Sequence, residues 1–244
     1  MTKTRNMSSK GLLIDQTPHA CPYIEGQTAV LPTRWYADDI SGPAFDVLLS
    51  ESDRRVGRTL YRPTCPDCSA CEAIRLPIRG LRLSRSQLRC WKRNSDLRVT
   101  VGRPIVDDAR LDLFNRHKLE RGLSKESTSA SHYANWLAVS CVETVETRYW
   151  LDDELIAVGI LDVGSKSASS VYFYFDPDHA KRGLGTYSVL AECAWLRDKG
   201  LEYYYLGLYV GECSHMSYKA RFLPHERRVK GRWVQFAAPY PKQS

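Results

Sequence analysis

Cys65, Cys68 and Cys71 stand three residues apart, a spacing that lets three thiols converge on one ion, and Cys21 can supply a fourth ligand. Four thiols suit a tetrahedral zinc or an iron–sulfur cluster. The plainer alternative is a set of ordinary thiols packed in a turn. Cys90, Cys141, Cys193 and Cys213 have no such company and read as core or inert surface residues. A second chemical signal is Lys181-Arg182-Gly183-Leu184-Gly185-Thr186 at the head of an apolar stretch. Glycines there allow close approach of a ligand, and the N–H groups of a helix start suit a phosphate or an oxyanion; Gly183, Gly185 and Thr186 are therefore candidate substrate ligands. A third is Met216-Ser217-Tyr218-Lys219-Ala220-Arg221-Phe222. Lys219 and Arg221 are placed to bind a carboxylate or phosphate, while Tyr218 and Phe222 share an inward face.

Two carboxylates, Asp162 and Asp176, fall at the ends of successive strand patterns, where either can orient or deprotonate an incoming amine; turn capping is the competing role. Aromatics alternate along the same strands (Tyr172, Tyr174, Tyr203, Tyr204, Tyr205). Half of them should face a cleft, where they can stack on a terminal adenine, and Tyr174 joins Asp162 and Asp176 as a candidate catalytic residue.

Positive charge is concentrated. Residues 72–103 hold nine Lys or Arg and two acids, and a second cluster comprises Lys219, Arg221, Arg227, Arg228, Lys230 and Arg232. Such clustering suits a polyanion. Arg85, Arg89 and Arg93, spaced by four with Lys92 beside them, share one face of a helix. Their mutual repulsion would turn to attraction against an RNA backbone. Arg75 lies on the preceding strand pattern as a further candidate cation.

The elements that must position these residues are legible in outline. Residues 1–60 are rich in Pro and Gly, with a short helix over 44–52 and a strand over 56–61. Residues 74–79 alternate as a strand that Pro77 makes irregular or places at an edge. Ser84 followed by Gln87 is a capping box that opens a helix to about 94. A strand at 97–101 precedes a helix from Asp107 to about 121, a Ser-rich loop, and a helical stretch over 132–141. Strands at 147–151, 155–163 and 170–175 lead to a long helix, 184–199, that Gly200 stops. A strand over 201–206, a short helix over 217–222 and a strand pair around 228–234 close the chain. No apolar run approaches the ~20 residues of a membrane span, and residues 1–9 lack a secretory signal. A cytosolic protein with reduced thiols is expected.

This β-β-β-α-β order resembles the N-acetyltransferase superfamily. The resemblance implies an α+β fold: a mixed sheet with flanking helices over residues 96–240, preceded by a smaller loop-rich Cys-bearing domain over 12–95. Acetyltransferases carry Arg/Gln-x-x-Gly-x-Gly around a coenzyme A pyrophosphate; here Ala180 stands at the first position.

A more specific likeness spans residues 21–233. Cys21-Pro22-Tyr23, Tyr61-Arg62-Pro63 ahead of the three cysteines, Ser84-Arg85-Ser86-Gln87, Tyr174-Phe175-Asp176-Pro177, Leu184-Gly185-Thr186, Tyr205-Leu206-Gly207 and residues 216–222 together resemble the arginyl-tRNA–protein transferase family, in its short bacterial branch. The resemblance implies transfer of an aminoacyl group, leucine in that branch and arginine in the longer relatives, from charged tRNA to proteins beginning with Asp or Glu, creating an N-degron. It also implies a metal or iron–sulfur site built on Cys21 with Cys65, Cys68 and Cys71, although Ile24 replaces the second N-terminal cysteine of the longer relatives. An aminoacyl ester is already activated, so the chemistry calls for no further cofactor. Selection of an acidic first residue calls for a cation; Lys219, Arg221 and Arg75 are the candidates. Two other readings compete: a coenzyme A-dependent N-acetyltransferase, and a non-catalytic RNA-binding module.

Overall fold

The computed structural model describes residues 11–238. Residues 1–9, read above as lacking a secretory signal, and residues 239–240 lie outside them. In chain order the elements are β1 (Leu12–Asp15), β2 (His19–Ala20), β3 (Thr28–Ala29), β4 (Thr33–Trp35), α1 (Gly42–Ser50), β5 (Arg54–Val56), β6 (Thr59–Tyr61), β7 (Glu72–Pro77) and α2 (Arg85–Arg93). There follow β8 (Arg98–Gly102), α3 (Asp108–Glu120), α4 (Ala130–Tyr133), β9 (Glu143–Leu151), β10 (Glu154–Val163), β11 (Ser167–Phe175) and α5 (Leu184–Asp198). The chain ends with β12 (Tyr203–Tyr209), α6 (Ser214–Ser217), β13 (His225–Val229) and β14 (Arg232–Phe236). None of the described helices is long and apolar enough to cross a membrane.

Eight strands form one mixed sheet in the order β14-β13-β7-β12-β11-β10-β9-β8. Among the described strands of this sheet, only β11 and β12 run parallel. Alternation along β10 explains the layers: Val158 and Ile160 pack with Phe114 of α3, while Leu161 packs with Leu190 and Leu196 of α5 on the opposite face. α5 is apolar around most of its circumference, so it is buried along most of its length. A smaller antiparallel sheet, β1-β4-β6-β5, stands beside α1, whose Phe45 and Leu49 pack with Leu60 and Tyr205.

Several local expectations are met: the Ser84/Gln87 capping box is formed, Asp107 caps α3 through its side chain, and α5 stops where Gly200 adopts positive φ. Others are corrected. Residues 56–61 are not one strand, because Gly57 turns the chain at φ +56° into a β5–β6 hairpin. β7 is interior rather than at an edge; Pro77, which cannot donate to a ladder, sits at its last position. The helical stretch near 132–141 is α4 followed by a wider turn over Ala134–Ala138. The helix over 217–222 is α6 plus a tight turn over Tyr218–Arg221. The boundary expected between residues 95 and 96 falls between α2 and β8, and β7 from the earlier segment pairs with β12 and β13 of the later one.

Candidate active site

α2 is fastened across the head of α5. Asn94 Nδ2 donates to Arg182 O at 3.0 Å, Cys90 Sγ lies 3.4 Å from Gly183 O, and the Arg93 guanidinium donates to Lys181 O at 2.7 Å. Gln87, buried at the capping box, reaches the other way and donates to Arg221 O at 3.2 Å. The three segments enclose a cavity of about 310 Å³, whose walls include Arg89, Arg93, Gly183, Thr186, Tyr218 and Arg221. Gly183 holds φ +72° as the N-cap of α5 and contributes no side-chain cap; next to Gly185 the space is open. The first N–H groups of a fifteen-residue helix therefore meet three exposed or rim-lying arginines. A helix start carries partial positive charge, so the cavity suits phosphate or another compact polyanion. Arg85 and Lys92 are exposed on α2 outside the cavity wall.

Next to this cavity the sheet opens. β11 and β12 pair only over Ser167–Ser169 against Tyr203–Tyr205, although both strands continue beyond. Two cations stand in the gap. Arg54, from β5, donates through Nη1 to Ser169 Oγ at 2.6 Å and through Nη2 to Ser170 O. Lys219 Nζ donates to Leu208 O at 2.7 Å from the other side. Gly207 lies between them at φ +94°: a Cβ there would come within 3.2 Å of Arg54 Nη2 and 3.5 Å of Lys219 Nζ. Burial, reinforced by the Arg54 charge, lowers the Lys219 ammonium to about 7. Arg54 belongs to no motif in the sequence; the run Arg54-Arg55 before Gly57 was its only trace.

The remaining candidates are placed elsewhere. Arg75 lies between the rings of Tyr203 and Trp233, at 3.9 and 4.0 Å, and pairs with Glu226 at 2.7 Å, so its charge is already used. Asp162 is sealed by Arg55 and Thr144. Asp176 accepts from Asp178 N and from Arg116, capping a tight turn. Tyr174 is fully buried, its hydroxyl bonded to Tyr133 at 2.6 Å and its ring edge-on to Phe114, so it faces packed core and not a cleft.

Cys21, Cys65, Cys68 and Cys71 line one cavity of about 280 Å³, together with Ile24 and the cations Arg62, Arg228 and Lys230. Backbone N–H groups of Tyr23 and Val30 approach the sulfurs of Cys21 and Cys65, each at 3.5 Å. Burial and then the neighbouring thiols push Cys71 up to about 11. Four converging thiols with N–H···S contacts are a donor set suited to a soft metal. Among the described residues, no three of these sulfurs lie within 4.8 Å of one another. Tetrahedral zinc places thiolates roughly 3.8 Å apart, from Zn–S bonds near 2.3 Å.

The family pattern described as "Arginine-tRNA-protein transferase, N terminus" matches residues 19–89, and "Arginine-tRNA-protein transferase, C terminus" matches residues 109–229. Among similar proteins is an aspartate/glutamate leucyltransferase of Acinetobacter baumannii, 34% identical over 225 residues, covering 88% of this chain and 81% of that one. Another, from Saccharophagus degradans, is 32% identical, covering 92% of this chain and 96% of that one. Among solved structures, FemX matches with a TM-score of 0.44 and 10% identity, over 73% of this chain and 63% of that one. The C-terminal domain of a putative lysylphosphatidylglycerol synthetase from Agrobacterium fabrum matches with a TM-score of 0.46 and 16% identity, over 58% of this chain and about half, 47%, of the other. The matched family patterns and relatives define an enzyme class, the aminoacyl-tRNA-dependent protein transferases. Within it, the chain belongs to the arginine-tRNA-protein transferase family.

Proposed function

We propose that this protein moves leucine from leucyl-tRNA to the α-amine of proteins beginning with Asp or Glu, converting them to N-degrons. The observation that carries this reading is the cavity that joins Arg89, Arg93 and Arg221 to the open N-terminus of α5, beside a splayed strand pair holding Lys219. The names of the relatives, aspartate/glutamate leucyltransferase, support leucine as the group transferred and an acidic first residue as the acceptor.

On this reading the phosphates near the tRNA 3′ end bind Arg89, Arg93, Arg221 and the N–H groups after Gly183, with Arg85 and Lys92 extending the track along α2. Tyr218 shares that cavity wall, and the next residue, Lys219, stands in the gap between β11 and β12. The leucyl ester is led past Tyr218 into the gap, in the manner of an acyltransferase sheet. The acceptor amine, with a reference pKa of about 7.7–8.0, has roughly a third of its population neutral near pH 7.5. It attacks the ester carbonyl, the C–O bond to the terminal ribose breaks, and the amine proton leaves as the ribose hydroxyl is restored. The enzyme contributes position and positive charge, which suffice for an activated ester. Cys21, Cys65, Cys68 and Cys71 are the residues to hold an iron–sulfur cluster or a zinc ion, either of which would brace the N-terminal loops.

The test is direct. Purified protein is incubated with an Asp-initiated peptide and, in separate arms, leucyl-tRNA, arginyl-tRNA or acetyl-CoA, and the peptide is weighed. A mass gain of one leucyl residue from leucyl-tRNA is expected. Gain only from acetyl-CoA, or no covalent product beside salt-sensitive tRNA binding, overturns the proposal. Metal analysis of the same preparation reads iron and sulfide against zinc.

A further inference from the structure

The cavity described above accounts for three arginines and a helix start, but leaves Arg54 and Lys219 without a task. Their surroundings are unlike those of other cations that the fold withdraws wholly or partly from solvent. Arg55 is paired with Asp162, Arg110 with Glu146 and Asp107, and Arg75 with Glu226. Neither Arg54 nor Lys219 has a carboxylate within 4.0 Å among the described residues. Arg54 spends two donors on Ser169 Oγ and Ser170 O; Lys219 has Leu208 O and the Met216 thioether. The carboxylate that acts on Arg54 from a distance, Asp162, is engaged by Arg55. Arg54 and the buried Lys219 amine stand on either side of Gly207 with no carboxylate between them, and an anion seated there would pair with the guanidinium and favour the ammonium form of Lys219.

We infer that Arg54 and Lys219 form the seat for the acidic side chain of the acceptor's first residue, Arg54 being a specificity-determining group of this enzyme. The inference rests on the transferase reading and names the part of that site which selects the acceptor. Three features place the carboxylate here and the phosphates elsewhere. The seat lies where β11 and β12 part, with Lys219 buried, whereas Arg89, Arg93 and Arg221 are exposed and line the outer cavity. Arg54 is delivered by the small N-terminal sheet, from outside the α2–α5 cavity that receives the carrier. Gly207 keeps the space between the two cations clear of a side chain, as a short carboxylate requires. A guanidinium fixed by two bonds retains N–H groups for fork-like binding of a carboxylate, and Lys219 Nζ supplies a second donor beside it.

The experiment compares kcat/KM for Asp-initiated and isosteric Asn-initiated peptides in the parent, Arg54→Gln and Arg54→Lys, with melting temperature and leucyl-tRNA affinity measured alongside. The expected result is a fall of at least tenfold in the Asp/Asn ratio for Arg54→Gln, partial retention for Arg54→Lys, and tRNA affinity within twofold of the parent. An unchanged ratio, with both acceptors losing rate in parallel, overturns the inference and leaves Arg54 a general structural or oxyanion-facing group. Should Arg54→Gln not fold, the parent protein decides: an Asp-initiated peptide must protect Lys219 from reductive methylation better than the Asn peptide, and equal labelling sinks the seat. Absence of leucyl transfer by the parent defeats the transferase reading itself, while the protection measurement still judges the seat.

Discussion

Arg55 Nε donates to both carboxylate oxygens of Asp162, at 2.8 and 2.7 Å, with both side chains withdrawn from solvent. The pair ties the small N-terminal sheet to the large one. It is completed by Thr144 Oγ1 on the carboxylate and by the Gly57 and Val139 carbonyls on the guanidinium. Because consecutive strand residues point oppositely, anchoring Arg55 also sets the direction of Arg54. Breaking a buried pair from one side leaves an uncompensated charge at a cost of about 3–5 kcal/mol. Asp162→Asn is therefore expected to lower the urea midpoint sharply, and Asp162→Asn with Arg55→Met to recover part of the loss. Full stability of Asp162→Asn with lost transfer would return Asp162 to a catalytic role.

Electrostatic binding of the carrier gives a second expectation. Arg89→Gln, Arg93→Gln and Arg221→Gln should each weaken leucyl-tRNA binding and make the slope of log affinity against log salt shallower by roughly 0.7–0.9. Arg75→Gln should leave that slope unchanged, since Arg75 is engaged with Glu226, Tyr203 and Trp233. Titration of labelled tRNA at several salt concentrations reads both.

What was legible beforehand follows from how local each signal is. The Ser84/Gln87 box, the fourfold spacing of Arg85, Arg89 and Arg93, the glycines before α5 and the Tyr218–Arg221 turn are written within a few residues, and the structure brings most of them to one cavity. Arg54 reaches Ser169 across 115 positions and Arg55 reaches Asp162 across 107, through strand pairings that no local periodicity encodes. The pairing of Arg75 with Glu226 is hidden for the same reason, since the two stand 151 positions apart. A cleft role for Asp162 rests on its place at a strand end, and one for Tyr174 on strand alternation, which distinguishes two faces and leaves open which one is covered by α3. Glu192, within the apolar run of α5, was an overlooked signal, since a charged residue among core positions needs partners.

Those partners give a prediction in pH. Glu192 lies fully buried, accepting from Tyr204, Thr147 and Tyr149, and burial raises its carboxyl to about 7. Between about pH 4.5 and 7 the folded protein keeps a proton that the unfolded chain has lost, so this group lowers stability as pH rises through that window, by on the order of 3 kcal/mol in all. His117 acts oppositely. Its ring is buried against the Phe175 backbone and beside Arg121, and burial lowers it to about 4. From pH 6.5 down to 4 the unfolded chain takes up a proton that the fold refuses, so the stability it provides above 6.5 is lost as pH falls. Relative to the parent, the melting temperature of Glu192→Gln should climb more steeply with pH between 4.5 and 6.5, and that of His117→Asn should climb less or fall. Identical slopes in all three proteins would contradict both assignments.

Two glycines separate the carrier half of the site from the acceptor half. Gly183 holds φ +72° at the head of α5, where a Cβ would stand 3.4 Å from Cys90 Sγ; Gly207 holds φ +94° between Arg54 and Lys219. A side chain at positive φ costs about 1–2 kcal/mol at either place, so Gly183→Ala and Gly207→Ala should be destabilised to a similar extent. Their functional effects should diverge. Gly183→Ala disturbs the N–H groups offered to phosphate and should weaken tRNA binding with little change in the Asp/Asn preference. Gly207→Ala places a methyl 3.2 Å from Arg54 Nη2 and should raise KM for the Asp-initiated peptide while tRNA affinity holds. Equal losses of tRNA affinity and acceptor KM in both variants would mean that one shared pocket serves carrier and acceptor, and the division of the site between α5 and the β11–β12 gap would have to be abandoned.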